Sequence, residues 1–324
     1  MNETLERRAD AIRAWNDALP AVVDLHLIRT GDERSSRIEA FLNDLAERAS
    51  KVRVSPETAE PGELPGIRIP PSWTIHGVPE GTELDPFLEL LTRAATGEAG
   101  VSDGLRTVLE GVEAPSLVDL YVATQCPNCP RVLARLAPFP LVNPRIRLRV
   151  FDGVLFSERA QEQGIRAVPT VLLADGLRYT GQVRAEEVAE GLLQGDPSRM
   201  RAEAFARMIQ AGDAQGLAGM MLQKRQVFPG LLDLLAGDLF SLRLGAMVAM
   251  EEIGEKDPEL AREALDLLWE RMESADPSAR GDIVYLVGEL GDGSWRSRLQ
   301  GLLEGEVPPD LREAVEDALE SLEA

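Results

Sequence analysis

The sequence predicts two repeated α/β units followed by an all-α region of helical repeats. Three observations indicate this fold class. Strand-like and helix-like segments recur in the same order about a hundred residues apart, the strand signal stops near residue 198, and helical segments then recur at a spacing of 37 residues. At 324 residues the chain is long enough for two or three domains.

The two α/β units begin in the same way. Residues 22–27 match residues 117–122, and both are apolar, β-branched runs of strand length. A segment with helical periodicity follows in each unit, at residues 34–49 and 127–136, where the apolar positions fall on one face. The pattern therefore predicts, in each unit, a strand that leads into a helix.

The remaining elements of the two units also correspond. We expect a helix before the first strand, then a second strand, a third strand opened by a proline, and a closing helix. The predicted ranges are 3–19, 51–54, 71–75 and 84–95 in the first unit, and 104–113, 145–151, 169–173 and 185–193 in the second. Strands and helices that alternate at these lengths favour a layered α/β fold with right-handed crossovers, in domains of residues 1–97 and 98–196.

The last predicted domain, residues 197–324, contains helices only. A turn signal of glycine, aspartate and proline at residues 195–197 marks its start. Residues 242–254 resemble residues 280–291, and a third copy follows at 311–322. Helices that repeat at this period stack into a solenoid, because each repeat buries its apolar face against its neighbours.

Composition excludes several functional classes. The net charge is −21, with −9 on residues 1–197 and −12 on residues 198–324, so we expect neither nucleic acid nor an anionic membrane as a partner. The acidity either keeps the protein in solution or selects basic partners. No apolar run reaches the ~20 residues of a membrane-spanning helix. Residues 1–19 lack the apolar core of a secretory signal, so the expected location is the cytoplasm.

The chain has only two cysteines, Cys126 and Cys129. A pair this close cannot cross-link a large fold, and it is too small for a closed zinc site, which needs four ligands. The two histidines, His26 and His76, lie outside the cysteine-bearing unit and are expected to have core or surface roles. We therefore predict no metal and no other cofactor, with half of a metal site as the disfavoured alternative.

The two cysteines lie where a predicted strand ends and a helix begins. A thiol at a helix N-terminus is stabilised as the thiolate by backbone N–H groups and the helix dipole. Cys126 is therefore the expected nucleophile, and Cys129, one turn later, would resolve the mixed disulfide. Pro127 suits the first helical position, since it has no N–H to leave unpaired.

Two further residues fit the same chemistry. A cis peptide bond before Pro169 would leave the backbone of Val168 able to pair with an extended substrate, whereas the alternative is an ordinary trans proline that opens a strand. Asp119, on a strand expected to be buried, could accept the proton of Cys129. Because its counterpart Asp24 occurs in the unit without cysteines, a structural role for Asp119 is also open.

These motifs carry a family resemblance. Residues 126–130, residues 168–170 and Asp119 resemble the glutaredoxin-like protein disulfide oxidoreductases and the N-terminal domain of the flavoprotein component of alkyl hydroperoxide reductase. The resemblance covers about residues 1–196 and implies two fused thioredoxin folds that share one sheet. It implies that Cys126 attacks and Cys129 resolves. The residues that it places at the substrate are Pro127, Asn128, Val168, Pro169 and Thr170.

The chain also departs from those families. Residues 31–34 replace the cysteine motif in the first unit, so that unit cannot cycle and is expected to be a scaffold. The helical region resembles HEAT-type repeats, which bind proteins, and it is not usual in either family. Arg34 and Trp73 could contact a partner, but structural roles are the expectation for both.

Three functional hypotheses follow. The first is a cytoplasmic oxidoreductase that acts on protein disulfides and receives electrons from a flavoprotein similar to thioredoxin reductase. The second is a dedicated relay between such a flavoprotein and one protein, such as a peroxiredoxin, held by the helical region. The third is a binding scaffold of HEAT type without redox turnover.

Overall fold

The computed structural model describes residues 3–174, 176–304 and 307–322. The chain divides into two compact units, residues 1–195 and residues 196–324. The first unit contains an eight-stranded sheet with helices, and the second is helical throughout its described part. Each unit is described by itself below.

The sheet of the first unit has the strand order β2-β1-β3-β4-β6-β5-β7-β8. The strands are β1 (Val23–Arg29), β2 (Val52–Thr58), β3 (Gly66–Ile69), β4 (Trp73–His76), β5 (Ser116–Val122), β6 (Ile146–Asp152), β7 (Thr170–Leu173) and β8 (Arg178–Thr180). Strands β1 and β5 occupy equivalent places, because each has a parallel neighbour on one side and an antiparallel neighbour on the other. Strands β4 and β6 pair in parallel and join the two halves.

One predicted correspondence between the halves is wrong. The sequence equates the proline-opened run at residues 71–75 with that at residues 169–173. In the sheet, the antiparallel neighbour of β1 is β3, which follows Pro65, so β3 is the counterpart of β7 and β4 is the counterpart of β8. The sequence analysis does not predict strands β3 and β8, which have four and three residues.

Helices cover the sheet and are held by their apolar faces. They are α1 (Glu3–Arg7), α2 (Ala9–Ala18), α3 (Arg34–Arg48), α4 (Leu84–Thr96), α5 (Asp103–Glu110), α6 (Cys129–Leu136), α7 (Phe139–Val142), α8 (Ser157–Glu162) and α9 (Ala185–Gln194). The predicted periodicity of α3 is confirmed, since Ile38, Phe41 and Leu45 are buried. The Trp73 side chain is also buried, and its Nε1–H donates to the Ala137 carbonyl at 2.9 Å, which is a structural role.

The second unit consists of packed helices. They are α10 (Ala202–Gln210), α11 (Ala214–Lys224), α12 (Pro229–Leu235), α13 (Phe240–Lys256), α14 (Pro258–Trp269), α15 (Pro277–Leu290), α16 (Arg296–Leu302) and α17 (Pro309–Ser321). The three repeated segments found in the sequence fall in α13, α15 and α17. Helices α11, α13, α15 and α17 pack one against the next and form a layer.

Within the described residues, no helix is long and apolar enough to cross a membrane.

Candidate active site

The two cysteines form a disulfide bond between the end of β5 and the start of α6, with their Cα atoms 5.5 Å apart. The helix begins at Cys129, two residues later than predicted, so Pro127 lies in the preceding turn and Pro130 is the proline of the first helical turn. Cys126 is 9% exposed and Cys129 is 0% exposed. Of the two cysteines, only Cys126 is open to an approaching partner.

Backbone groups surround the Cys126 sulfur. The Cys129 N–H donates to Cys126 Sγ at 3.1 Å, and the Asn128 side chain does not cap the helix. The sulfur thus takes the position of a helix-capping acceptor, where an N–H group and the positive end of the helix dipole favour negative charge. This geometry stabilises a thiolate at Cys126 once the disulfide is reduced.

The loop before β7 forms the other side of the site. The Val168–Pro169 peptide bond is cis, as predicted, and the Val168 carbonyl oxygen lies 3.7 Å from Cys126 Sγ. The Pro169 carbonyl accepts a hydrogen bond from the Gly181 N–H, whereas the Val168 N–H has no partner among the described residues. Pro127 is exposed and Asn128 and Val168 are half-buried, so all three lie at the surface near the sulfur.

Thr170 does not have the predicted substrate-facing position. Its side chain is fully buried, and its hydroxyl bonds to the Ala167 carbonyl at 2.8 Å and to the Thr180 hydroxyl at 3.1 Å. Its backbone lies between Tyr121 and Thr180 in the sheet. Thr170 therefore holds the loop in place from inside the fold.

Of the two roles predicted for Asp119, its position fits the structural one. Successive residues of a strand point to opposite faces. Val122 lines a pocket with Leu133 of α6, whereas Tyr121 packs against Ala160 of α8, so Asp119 lies on the α8 face, away from Cys129. There its carboxylate accepts from Arg149 at 2.6 and 2.7 Å and from Arg159 at 3.4 Å. Asp119 is a buried ion-pair partner and does not meet the thiols.

Glu83, which the sequence analysis does not predict, is a buried acidic group on the thiol side of the sheet, where Asp152 lines the same pocket. It ends a short 3₁₀ turn, Gly81–Glu83, just before α4. It lines a small pocket together with Val122, Thr124 and Leu133. The Thr82 hydroxyl donates to the Thr124 carbonyl at 2.7 Å and ties this turn to the segment that precedes Cys126.

The environment of Glu83 raises the pKa of its carboxyl group. The residue is 7% exposed, and its Oε1 atom has no hydrogen-bond partner in the described part of the chain. Burial, with a smaller contribution from the negative charge of Asp152, raises the pKa of Glu83 to about 7. The group can therefore gain or lose a proton near neutral pH.

The matching place in the first half has no thiol. Arg34 stands near the start of α3, where it pairs with Asp32 and Glu158 and donates to the Leu155 carbonyl at 3.0 Å. Its guanidinium also lies 4.3 Å from the centre of the Phe156 ring. Arg34 therefore links the β1–α3 loop to the segment after β6, which is a structural role.

Among the described residues, no group of three or more His, Cys, Asp or Glu side chains has an arrangement that could hold a metal ion. His76 is buried, its Nδ1 is 3.0 Å from the Pro65 carbonyl oxygen, and its ring stacks on Phe151. Burial lowers the pKa of His76 to about 4, so this residue is a neutral part of the core at pH 7.

The chain is similar to known redox proteins over part of its length, although no protein-family model matches it. The AhpF component of alkyl hydroperoxide reductase from Staphylococcus epidermidis is 25% identical over 167 residues, which are 48% of this chain and 31% of that protein. A protein named NADH dehydrogenase from Ferdinandcohnia aciditolerans is 25% identical over 210 residues, or 60% of this chain and 38% of that protein. The chain thus spans about a third of the length of these curated relatives.

Two solved structures share the fold. The NTD_N/C domain of alkylhydroperoxide reductase AhpF from Enterococcus faecalis matches with a TM-score of 0.52 and 19% identity, over 58% of this chain and 98% of that one. A protein disulfide oxidoreductase from Aeropyrum pernix matches with a TM-score of 0.54 and 17% identity, over 62% and 97%. The chain therefore has a thioredoxin-like α/β domain followed by a helical region.

Proposed function

We propose that this chain is a thiol–disulfide oxidoreductase that exchanges its Cys126–Cys129 pair with protein partners. The observation that carries the proposal is the unequal burial of a cysteine pair at the start of a helix: Cys126 is reachable and receives an N–H hydrogen bond, and Cys129 is enclosed. This is the arrangement that a nucleophilic and a resolving thiol need.

The exchange moves two electrons. The Cys126 thiolate attacks one sulfur of a partner disulfide, the partner S–S bond breaks, and a mixed disulfide forms while the other partner sulfur leaves as a thiolate. Cys129 then loses its proton and attacks Cys126 Sγ. The second partner sulfur leaves, and the Cys126–Cys129 disulfide seen in the structure remains. The partner has been reduced and the chain oxidised.

Glu83 is the proton acceptor in this scheme. Cys129 lies on the buried face of α6 with Leu133, and Leu133 and Glu83 line the same pocket. A carboxylate whose pKa is about 7 can take a proton from Cys129 as the mixed disulfide is resolved and release it to solvent afterwards. Glu83 belongs to the first half of the α/β domain, whereas the thiol whose proton it accepts belongs to the second half.

An extended segment of the partner would bind at the loop before β7. The Val168 N–H has no partner within the described chain, and Val168 lies beside Cys126 Sγ. A partner carbonyl that accepts this N–H would align the partner disulfide with the sulfur. Pro127 and Asn128 would contact the same segment from the other side of the sulfur.

The full architecture that we propose is two fused thioredoxin folds, residues 1–97 and 98–196, and a HEAT-like solenoid at residues 197–324. The repeated strand order of the sheet and the layer of helices α11, α13, α15 and α17 support it. The solenoid would bind a protein partner, and the site of action would be the cytoplasm.

A relay is the second candidate. The relatives named as a component of alkyl hydroperoxide reductase and as NADH dehydrogenase favour it, since these names describe proteins that handle reducing equivalents. In this version a flavoprotein similar to thioredoxin reductase reduces the Cys126–Cys129 disulfide, and one dedicated protein, such as a peroxiredoxin, receives the electrons.

Trapping tests the oxidoreductase proposal. Reduced Cys129→Ser protein mixed with insulin should form a mixed disulfide through Cys126 that is stable without reductant, because the resolving thiol is missing. Non-reducing electrophoresis detects the adduct, and Cys126→Ser is the matched control that should form none. If neither variant forms an adduct and the wild type reduces no protein disulfide, the chain is a scaffold.

A further inference from the structure

The longest helix of the second unit, α13, is apolar on two sides. Its inner side is buried through Ala246, Met250 and Ile253. Its outer side carries Phe240, Leu244 and Val248, which are 60%, 50% and 42% exposed. Residues four apart lie above one another on a helix, so these three form one continuous stripe. Such a stripe on a helix is normally covered by a neighbouring element.

A neighbouring helix extends the stripe. Tyr285 of α15 is 43% exposed, and its hydroxyl lies 3.5 Å from Glu251 Oε1, one turn after Val248. Arg243, only 3% exposed, donates to Asp282 of α15 at 2.7 Å and fixes the two helices side by side. We call Phe240, Leu244, Val248 and Tyr285 the α13/α15 stripe. It is a preformed surface, since a buried ion pair holds it.

Acidic side chains border the stripe. Glu251 and Glu255 continue along α13, and Glu289 follows Tyr285 by one turn on α15. None of these three forms an ion pair with a cation among the described residues. Besides partial burial, the charges of Glu251 and Glu289 raise the pKa of the Tyr285 hydroxyl, which places both carboxylates around it.

The charge of the border identifies the occupant. Residues 1–197 and 198–324 carry net charges of −9 and −12, so the first unit and a second copy of the chain both have a net charge of the same sign as the border. Anionic membranes and nucleic acid are repelled for the same reason. A cationic amphipathic helix from another protein has both the apolar face and the basic flanks that the surface needs.

We propose that the α13/α15 stripe is the docking site for a basic amphipathic helix of a protein partner. The proposal deepens the partner-binding role given to the helical unit and does not depend on the thiols. It explains why the helical unit has large apolar side chains exposed on α13 and α15. An exposed apolar patch bordered by polar groups is typical of an interaction surface.

A designed peptide tests the docking site in the full-length chain. The probe is a short fluorescent helical peptide with leucine on one face and lysine elsewhere, and its binding is followed by anisotropy. The wild type should bind this peptide but not the version in which glutamate replaces lysine. Replacing Leu244 and Val248 together by serine should weaken binding about tenfold. Tyr285→Ser on the other helix should also weaken it.

Two controls make the result decisive. Leu267→Ser removes an apolar side chain on α14 that is 37% exposed and should leave the affinity unchanged. Cys126→Ser should bind the peptide like the wild type, so a failed redox proposal would not affect this test. The proposal is overturned if the double variant keeps wild-type affinity, if Leu267→Ser weakens binding equally, or if sedimentation shows that the stripe joins two copies of the chain.

Discussion

At the scale of single residues, the buried carboxyl of Glu83 makes the strongest prediction. Its pKa in the fold is about 7, above the ordinary value of 4.5, so the folded protein binds more protons than the unfolded chain between these pH values. The contribution of Glu83 to the free energy of unfolding is therefore greatest below pH 4.5 and falls as the pH rises to about 7. Across this pH range the free energy of unfolding should fall by about 3 kcal/mol. The Glu83→Gln variant should not show this fall, because glutamine does not titrate.

The measurement is the free energy of unfolding in urea at pH 5 and pH 8, on the oxidised protein, in which neither cysteine titrates. Relative to the wild type, Glu83→Gln should gain stability at pH 8 and change little at pH 5. Glu33→Gln, an exposed carboxyl in the thiol-free loop, is the matched control. If the two variants have the same pH profile, Glu83 is not the buried acid described here.

The residues of the candidate site differ in how far the sequence alone predicts them. Cys126 and Cys129 were identified because their spacing and their place before a helix are local features. For Asp119 the sequence leaves two roles open, although strand alternation already puts it on the opposite face from Leu120 and Val122. Glu83 could not be found, because it approaches the thiols only through the pairing of β4 with β6.

At the scale of elements, Arg34 links a loop of the first half to the segment after β6 in the second half. It is 18% exposed and combines two ion pairs, a bond to the Leu155 carbonyl and a stack on Phe156. Arg34→Ala should lower the free energy of unfolding by about 2 kcal/mol, since the carbonyl and Asp32 would lose a buried partner. Urea unfolding measures this.

Arg37→Ala is the control for Arg34, because Arg37 borders the same surface. Neither variant should slow the reduction of a small disulfide, as both residues lie in the half without thiols. Equal stability of the two variants would contradict the linking role of Arg34.

Short strands are predictable from the sequence only where a proline opens an apolar run, as in β4 and β7, which have four residues each. Strands β1, β5 and β6 are runs of seven residues rich in apolar side chains, whereas only the start of β2 is predicted. Strands β3 and β8 have four and three residues, and they become strands only because a neighbour supplies hydrogen bonds. The false match between the runs after Pro71 and Pro169 arose for this reason: β3 was absent from the predicted order, so the next proline took its place.

At the scale of the whole molecule, all the redox groups described here lie in residues 1–195, which include the entire eight-stranded sheet. The helical unit adds an acidic surface and no thiol. Removing residues 198–324 should therefore leave the rate of reduction of a small aromatic disulfide within about twofold of that of the full chain, because access to Cys126 and its hydrogen bond from Cys129 are local.

The same deletion separates the two proposed functions. A general oxidoreductase without the helical unit still reduces insulin and any other accessible protein disulfide. A dedicated relay loses its reaction with its own partner, because tethering by the helical unit supplies the effective concentration that a small contact around Cys126 does not. The comparison uses a peroxiredoxin as acceptor, with full-length Leu244→Ser/Val248→Ser protein beside the deletion. If both changes slow the peroxiredoxin reaction and leave the rate of insulin reduction unchanged, the relay is favoured. If both changes affect the two acceptors alike, the general oxidoreductase is favoured.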